Sequence, residues 1–311
     1  MSEDKSWPKI AVVGAGAVGG YFGGMLARAG APVIFIGRPA FVAAVQKDGL
    51  LLDTTQFKER VSATSSADLS AARGAEIVLF CVKTTDTAAT SRELAGILAP
   101  GAILVSMQNG ADNAEQIRAA SGLDALAAAV YVAASMPTPG TVKHVGRGDI
   151  VLGPENEKTR FVAEMFTRAK VPCRISDNLT GELWTKLVWN CALNALSALG
   201  KVTYGEIIAS ADAKQLLEGT VYEVLAVARA AGIQLPGLVD PKVALAGAYK
   251  IAEQMSAMRS STAQDMMRGK RTEIDSLNGF VARKGRALGV PTPLNHALYT
   301  LVKLAEVSSS L

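Results

Sequence analysis

One lysine stands in the middle of an apolar segment with helix-forming composition, 181-GELWTKLVWNCALNALSALG-200. A buried ammonium group is costly unless it is paired or loses its proton. Lys186 is therefore either a structural residue that reaches solvent from a core helix or a functional residue that faces a cavity. An ammonium group that faces a cavity can stabilise negative charge on a bound ligand and can donate a proton to it, so general acid chemistry is what this residue type could perform.

The polar residues of this segment share one side of the predicted helix. At 100° per residue, four of these five polar residues lie within about 40° of one line along the helix, and the fifth, Asn194, lies at about 80° from it. The five residues are Glu182, Lys186, Asn190, Asn194 and Ser197. A stripe of lysine and asparagine along a helix that is otherwise apolar all round should line a cleft. The alternative is a partly exposed structural lysine.

A chain of 311 residues is long for a single core, which favours two domains. Four near-continuous apolar runs are typical of buried parallel strands, at 9–13, 33–37, 76–82 and 102–107. Ala-rich segments with helical spacing lie between them, so we predict a βαβ arrangement with a parallel sheet. The Gly/Pro-rich stretch 137–154 predicts two alternating strands as an antiparallel extension, and 171–176 predicts one more strand.

The strand patterns stop after Asp177, and helical patterns follow almost to the end of the chain. They begin at about 180 and continue around 212–231, 239–268 and 274–288. The predicted fold class is therefore α/β. A Rossmann-type dinucleotide-binding domain spans residues 1–177, and an all-helical substrate and catalytic domain spans 178–311.

The sequence GAGAVG follows the first predicted strand directly and opens a helix. In a dinucleotide site the first glycine makes the turn, the second lets the backbone approach a pyrophosphate, and the third allows close helix–strand packing. The helix N-terminus stabilises the phosphate charge. The predicted cofactor-binding residues of this loop are Gly14, Ala15, Gly16, Ala17, Val18 and Gly19. The alternative is a glycine-rich turn with no ligand.

The second predicted strand bears on the choice of cofactor. NAD enzymes place an acid about 20 residues further on to hold the ribose 2′-hydroxyl. Here the strand is followed by Gly37 and Arg38, with no acid before Asp48. Arg38 can hold a 2′-phosphate, and Lys83, after the 76–82 strand, is a second cation at the same edge. NADPH (or NADP+) is favoured over NADH, the alternative for Arg38 being a solvated loop cation.

Composition excludes several classes of function. The chain is 49% hydrophobic and 19% charged, which is typical of a globular protein. A net charge of +4 suits a small anionic ligand, and without a basic run no nucleic-acid partner is expected. The longest apolar stretch, 125–136, is too short to span a membrane, and we see no secretory signal. The scattered cysteines and histidines predict neither a metal site nor a disulfide, so we expect a cytoplasmic protein.

Six separate motifs, in order, resemble those of the ketopantoate reductase (2-dehydropantoate 2-reductase) family over nearly the full chain. They are KIAVVGAGAVGGYFGGMLARAG, CVKTTD, SMQNG, PGTVKHVGRGDIVLG, GELWTKLVWNCALNALSAL and SSTAQDMMRGKRTEIDSLNGFVARKGRALGVPTP. The resemblance implies reduction of the keto group of ketopantoate by NADPH, giving pantoate for pantothenate and coenzyme A synthesis. Similar enzymes include monomers and dimers, so it leaves both a monomer and a homodimer open.

The resemblance also implies roles for individual residues. Lys186 matches the family's proton donor, and Asn109 matches an asparagine at the junction of cofactor and substrate. Asn190 and Asn194 match asparagines that contact substrate hydroxyl and carbonyl oxygens, and Ser261 matches a serine that hydrogen-bonds the substrate. Two further matches are cofactor contacts: Glu273, at the nicotinamide ribose and the substrate, and Ala134, through its backbone.

One residue departs from the family pattern. Some members carry a further substrate-binding asparagine after the lysine helix, and here Tyr204 stands near that position. The tyrosine could keep a hydroxyl contact or reshape the pocket, so the identity of the keto acid substrate stays open. Two rivals are a β-hydroxyacid dehydrogenase, which lacks the SSTAQD and TEID pair, and a non-catalytic NADP-binding sensor, which has no need of the polar set.

Overall fold

The structure, a computed structural model, describes residues 6–238 and 240–308. The chain divides into two compact units, Met1–Leu179 and Thr180–Leu311. The predicted fold class is confirmed, because the first unit is an α/β Rossmann-type unit and the described part of the second contains only helices.

The first unit contains all the strands of the described chain. The strands are β1 (Ile10–Val13), β2 (Val33–Ile36), β3 (Leu50–Asp53), β4 (Lys58–Val61), β5 (Thr64–Ser66), β6 (Ile77–Phe80), β7 (Ile103–Ser106), β8 (Ala125–Thr138), β9 (Thr141–Leu152) and β10 (Cys173–Ile175). Its helices are α1 (Ala17–Arg28), α2 (Pro39–Asp48), α3 (Thr87–Ala95), α4 (Asn113–Ser121) and α5 (Glu157–Arg168).

These strands form one sheet in the order β4-β3-β9-β8-β7-β6-β1-β2-β5, with β10 paired to β9. Six neighbouring strands of this sheet run parallel to one another, in the order β8-β7-β6-β1-β2-β5. Both faces are buried, since Ile10 and Val12 belong to one core cluster while Ala11 and Val13 belong to another. Burial on both sides explains why the predicted strands β1, β2, β6 and β7 are apolar without alternation.

The antiparallel extension exists, but its strands are placed differently from the prediction. The pair consists of β8 and β9, so the stretch 137–154 contains the turn and one strand instead of two strands. The long Ala-rich run at 125–136 belongs to β8. The sequence analysis did not predict a strand in this run. Sequence analysis also missed β3, β4 and β5. Little apolar signal is present in the last two, since three of the four residues of β4 are exposed.

The second unit is built around one long helix. Its helices are α6 (Leu179–Gly200), which begins on the last residue of the first unit, α7 (Tyr204–Ala209), α8 (Ala211–Ala230), α9 (Pro241–Gln254), α10 (Ser261–Met267), α11 (Asn278–Leu288) and α12 (Pro293–Ser308). The helices predicted near 180 and 212–231 are confirmed as α6 and α8. None of the helices in the described ranges combines the length and the apolar character that crossing a membrane requires.

The predicted helical segment 239–268, whose first residue lies outside the described ranges, contains two helices, α9 and α10. The chain between them turns back onto the start of α7, where Tyr204 N donates to Met258 O at 2.9 Å and Gly205 N donates to Ser256 O at 2.9 Å. These backbone carbonyls are therefore used by α7 and not by a continuing helix. The predicted 274–288 helix begins with a 3-10 turn at Ile274–Ser276, and α11 follows.

Candidate active site

The glycine loop between β1 and α1 is tightly packed at two of its three glycines. Gly14 has φ +97°, and a Cβ there would lie 2.5 Å from Val82 N at the end of β6. A Cβ on Gly19 would lie 2.5 Å from the Gly14 carbonyl oxygen. Both positions therefore need glycine, and together they press the loop against the sheet.

The middle glycine of the loop is different, because a Cβ on Gly16 would meet no atom within 4 Å. Gly16 is the exposed N-cap of α1, and no side chain caps this helix. The first N–H groups of α1 are thus available to a ligand next to open space, in the first turn where a helix stabilises negative charge. This arrangement fits a dinucleotide pyrophosphate.

Register brings the predicted cofactor residues to one edge of the sheet. Val13 pairs with Ile36 of β2 and with Phe80 of β6. Phe80 in turn pairs with Ser106, the last residue of β7. The segments that follow these strand ends contain, in chain order, the Gly14–Gly19 loop, Arg38, Lys83 and Asn109. The four segments therefore leave the sheet at the same level, at the carboxyl ends of parallel strands.

Arg38 is held at this edge by close backbone packing. A Cβ on the preceding Gly37 would lie 2.9 Å from the Ala15 Cβ, so the end of β2 abuts the glycine loop. Arg38 is the N-cap of α2 and is exposed. Within the described ranges its guanidinium forms no hydrogen bond or ion pair. Lys83, which precedes a 3-10 turn at Thr84–Asp86, is half-buried.

Asn109 stands in a loop that is fixed by its neighbours. The buried Gln108 side chain donates to Val82 O at 3.0 Å and to Thr87 Oγ1 at 2.8 Å, which ties the end of β7 to the end of β6. Asn113 Nδ2 donates to Asn109 O at 2.7 Å. Sequence reasoning missed Gln108, although a polar residue directly between a buried strand and a candidate ligand residue is a signal for such a tie.

Ala134 is not brought to this edge by the strand register. The β8 residue paired with Ser106 is Ala127. Ala134 lies further along β8, where it pairs with His144 of β9 next to a β-bulge. Its side chain is partly buried against the core of the first unit.

Of the five residues of the predicted polar face of α6, two are half-buried and three are buried, the buried ones being Glu182, Asn194 and Ser197. Lys186 and Asn190 are half-buried, and Asn194 is 4% exposed. Their spacing of four residues places them on successive turns of one face. The Asn190 side chain forms no hydrogen bond with any residue of the described ranges. It has exposed surface, so its amide can meet a ligand.

Asn194 is a junction of three elements. Its side-chain Oδ1 accepts a hydrogen bond from Tyr204 Oη at 3.2 Å, and its backbone carbonyl accepts one from Ser260 Oγ at 3.0 Å. Burial raises the pKa of Tyr204 to about 12, so the phenol is a neutral donor at physiological pH. Ser197, the last member of the predicted stripe, is fully buried and donates to Val202 O at 2.7 Å, which is a structural role.

Ser261, the predicted substrate contact, is the exposed first residue of α10. Its neighbour Ser260 is the N-cap of this helix and is 1% exposed. Sequence reasoning missed the role of Ser260, although serine before a helix is a common capping signal. Through Ser260 the structure brings Ser261 next to the Asn194 turn of α6.

Glu273 is half-buried in a segment whose flanking residues are anchored to α12. Thr272 donates from its backbone nitrogen at 2.7 Å and from Oγ1 at 2.6 Å to the Glu306 carboxylate. Asp275 accepts a hydrogen bond from Tyr299 Oη at 2.9 Å. The backbone on both sides of Glu273 is therefore held in place.

The cysteine thiols of the described chain have pKa values that burial raises. Burial raises the pKa of Cys173 to about 12 and raises the pKa of Cys81 and Cys191 further, which keeps these thiols protonated. Within the described ranges no group of three or more His, Cys, Asp or Glu side chains could hold a metal ion.

Comparison with known proteins identifies relatives over nearly the whole length of the chain. The family described as ketopantoate reductase PanE/ApbA matches residues 10–157, and its C-terminal part matches residues 178–306. A PanE/ApbA family ketopantoate reductase structure from Ralstonia eutropha JMP134 is 47% identical and has a TM-score of 0.92, covering 97% of this chain and 100% of that one.

Two further relatives differ in how close they are. A 2-dehydropantoate 2-reductase of Vibrio cholerae is 31% identical over 307 residues, which is 97% of this chain and 99% of that protein. A ternary structure of D-mandelate dehydrogenase with NADH and anilino(oxo)acetate is 24% identical with a TM-score of 0.89, covering 97% of this chain and 100% of that one, and shows the shared fold alone. The chain is thus an oxidoreductase that belongs to the ketopantoate reductase family.

Proposed function

We propose that this protein reduces 2-dehydropantoate to pantoate with NADPH, in the cytoplasm, as a step towards pantothenate and coenzyme A. Membership of the family supports the reaction class. The observation that carries the proposal is the face of α6, where Lys186 and Asn190 are partly accessible at a spacing of one helical turn on a mostly buried helix. A helix with no ligand to bind would gain stability from apolar residues at these positions.

The first unit supplies the residues for the cofactor, which when bound provides the hydride. The uncapped N-terminus of α1 binds the pyrophosphate, and Gly16 leaves room for it. Arg38 and Lys83 bind the 2′-phosphate through charge-assisted hydrogen bonds. Asn109 is a further cofactor contact that we propose. The family resemblance alone adds Ala134, which the strand register does not bring to the same edge of the sheet, and Glu273 of the second unit.

The second unit supplies the residues for the substrate. The keto carbon gains a hydride, and the keto oxygen gains a proton from Lys186 Nζ, which solvent then reprotonates. Asn190, Asn194 and Ser261 bind the polar oxygens of the substrate, and the family resemblance adds Asn109 as a further substrate contact. Glu273 and the substrate carboxylate provide negative charge that stabilises the Lys186 ammonium.

The preference for NADPH over NADH depends on Arg38. Its exposed guanidinium, which has no partner in the described chain, follows the second strand where an NAD enzyme would carry an acid. The D-mandelate dehydrogenase structure contains NADH, so both cofactors need to be compared. Titration of each cofactor by fluorescence measures the preference, and equal affinities would contradict it.

A second candidate function is reduction of another small 2-keto acid. Tyr204, whose hydroxyl bonds the Asn194 side chain, favours this alternative, because it places a phenol near the position where some family members carry a substrate-binding asparagine. A panel of keto acids of increasing size separates the two candidates by kcat/KM.

The experiment that tests the proposal is NADPH oxidation in the presence of 2-dehydropantoate, followed by its absorbance. We expect substrate-dependent loss of NADPH and formation of pantoate in equal amounts. Binding of NADPH without turnover on any keto acid of the panel would instead indicate a non-catalytic sensor.

A further inference from the structure

We infer that Tyr204 is a positioning residue that holds the Asn194 side-chain amide in one orientation. In this orientation Asn194 presents its N–H2 group to the substrate and selects an oxygen acceptor there. The inference rests on the proposed function, in which Asn194 is a substrate contact.

The orientation of an asparagine amide is decided by its hydrogen-bonding neighbours, since its oxygen and nitrogen have nearly the same shape. Asn194 is 4% exposed and Tyr204 is 8% exposed, so water is a poor substitute for either partner. Tyr204 Oη donates to Asn194 Oδ1 at 3.2 Å, and in the described chain the phenol has no other acceptor. With the amide turned over, the phenolic O–H would be buried without an acceptor, which is unfavourable.

The backbones of both partners are fixed, so the pair cannot easily move apart. Ser260 Oγ donates to Asn194 O at 3.0 Å. Tyr204 N donates to Met258 O at 2.9 Å. Tyr204 also follows Thr203, whose hydroxyl caps α7. The Tyr204 hydroxyl is therefore presented to Asn194 from a rigid helix start.

The amide nitrogen of Asn194 has no hydrogen-bond partner in the described ranges, and it is not among the fully buried unsatisfied atoms. With Oδ1 engaged by Tyr204, the group that remains for a ligand is a donor. The substrate atom at this position must then be an acceptor, such as a carboxylate, keto or hydroxyl oxygen. A substrate that places an ammonium or an amide N–H there is disfavoured because two donors would meet.

Steady-state kinetics on Tyr204→Phe, Asn194→Ala and the double variant test the inference. Loss of the hydroxyl lets the amide rotate, so we expect Tyr204→Phe to raise KM for 2-dehydropantoate about 3- to 10-fold, with kcat and NADPH affinity nearly unchanged. In the Asn194→Ala background the same change should have no further effect. Tyr249→Phe is the matched control, because its hydroxyl bonds Glu218 within the same unit.

A second variant covers the case in which Asn194→Ala folds poorly. Asn194→Asp keeps an acceptor for the Tyr204 hydroxyl and replaces the donor by a carboxylate oxygen. It should raise KM for the anionic substrate by more than about tenfold at unchanged NADPH affinity. An unchanged KM in Asn194→Asp would overturn the inference.

The outcomes separate the inference from the proposed function. If Asn194→Ala leaves KM unchanged, Asn194 is not a substrate contact and that part of the proposed function is wrong. If Asn194→Ala raises KM but Tyr204→Phe does not, or if the two effects multiply, Tyr204 does not act through Asn194 and the inference alone is wrong.

Discussion

Ser260 Oγ lies 3.0 Å from the backbone carbonyl oxygen of Asn194 and donates a hydrogen bond to it. Ser260 Oγ also accepts a hydrogen bond from Ala263 N at 3.0 Å, and so caps α10. One buried hydroxyl thus fixes the start of α10 against the polar face of α6. The exposed hydroxyl of the next residue, Ser261, is available to a ligand as a consequence.

The two serines should therefore respond differently to substitution. Ser260→Ala removes the cap of α10 and the buried hydrogen bond to the Asn194 carbonyl, which should lower the free energy of unfolding by about 2 kcal/mol. Ser261→Ala should leave stability nearly unchanged and raise KM for 2-dehydropantoate. Urea denaturation and initial rates on both variants provide the comparison. A destabilised Ser261→Ala beside a stable Ser260→Ala would contradict the assignment.

The glycine loop permits a similar paired test. Gly16 has φ −85° and ψ −158°, a conformation open to any residue, and has free space beside it. Gly16→Val should fold normally but reduce NADPH affinity more than about tenfold, because its side chain fills the phosphate space. Gly14→Ala should instead destabilise the fold by about 1–3 kcal/mol or more, given its positive φ and its contact with Val82. Normal NADPH binding by Gly16→Val would show that the loop does not hold the pyrophosphate.

Arg38 should determine cofactor choice. Arg38→Ala should weaken NADPH binding by about 1.5–3 kcal/mol while NADH binding changes little, because only NADPH carries the 2′-phosphate. Arg73 is a matched control, being an exposed arginine just before β6, at the opposite edge of the parallel sheet. If Arg73→Ala has the same effect as Arg38→Ala, the contribution of Arg38 is general charge and not contact with the phosphate.

The parallel core could be predicted from sequence because β1, β2, β6 and β7 are buried on both faces and contain little but apolar residues. A strand that is buried on both faces needs apolar residues at nearly every position, so its own sequence is enough to identify it. The short strand β4 is mostly exposed and is defined by its pairing with β3, a tertiary contact that leaves little trace in its sequence. The helical pattern over 239–268 likewise gave no sign of the break that the contacts with α7 impose.

The candidate site divides in the same way. Arg38, Lys83 and Asn109 each follow an apolar strand, so their common edge follows from parallel topology alone. The spacing of Lys186, Asn190 and Asn194 follows from helical periodicity. The bond between Tyr204 and Asn194 could not be predicted, because its partners are on different helices and meet only through the packing of α6 and α7.

Burial of the Tyr204 phenol also predicts a dependence of stability on alkaline pH. Its pKa rises from 10.0 to about 12 in the folded state, mainly by desolvation. A raised pKa adds stability that is complete below pH 10 and is lost as the pH rises towards 12. The free-energy advantage of the wild type over Tyr204→Phe should thus shrink by about 2–3 kcal/mol across this range.

The comparison between the two proteins removes other contributions to the alkaline change. The cysteine thiols, whose pKa values are also raised by burial, are present in both and cancel. Denaturation at a series of pH values gives the difference directly. A constant difference across the range would mean that the phenol is more solvated than the structure indicates.

The most direct test of the central claim is to measure turnover and melting temperature on the single variant Lys186→Ala. As the general acid, Lys186 should contribute about 10²–10⁴-fold to turnover of 2-dehydropantoate, while the melting temperature and NADPH affinity stay close to those of the wild type. A structural lysine predicts the reverse, a lower melting temperature with near-normal turnover per folded molecule. A stable Lys186→Ala protein with wild-type turnover would contradict the account.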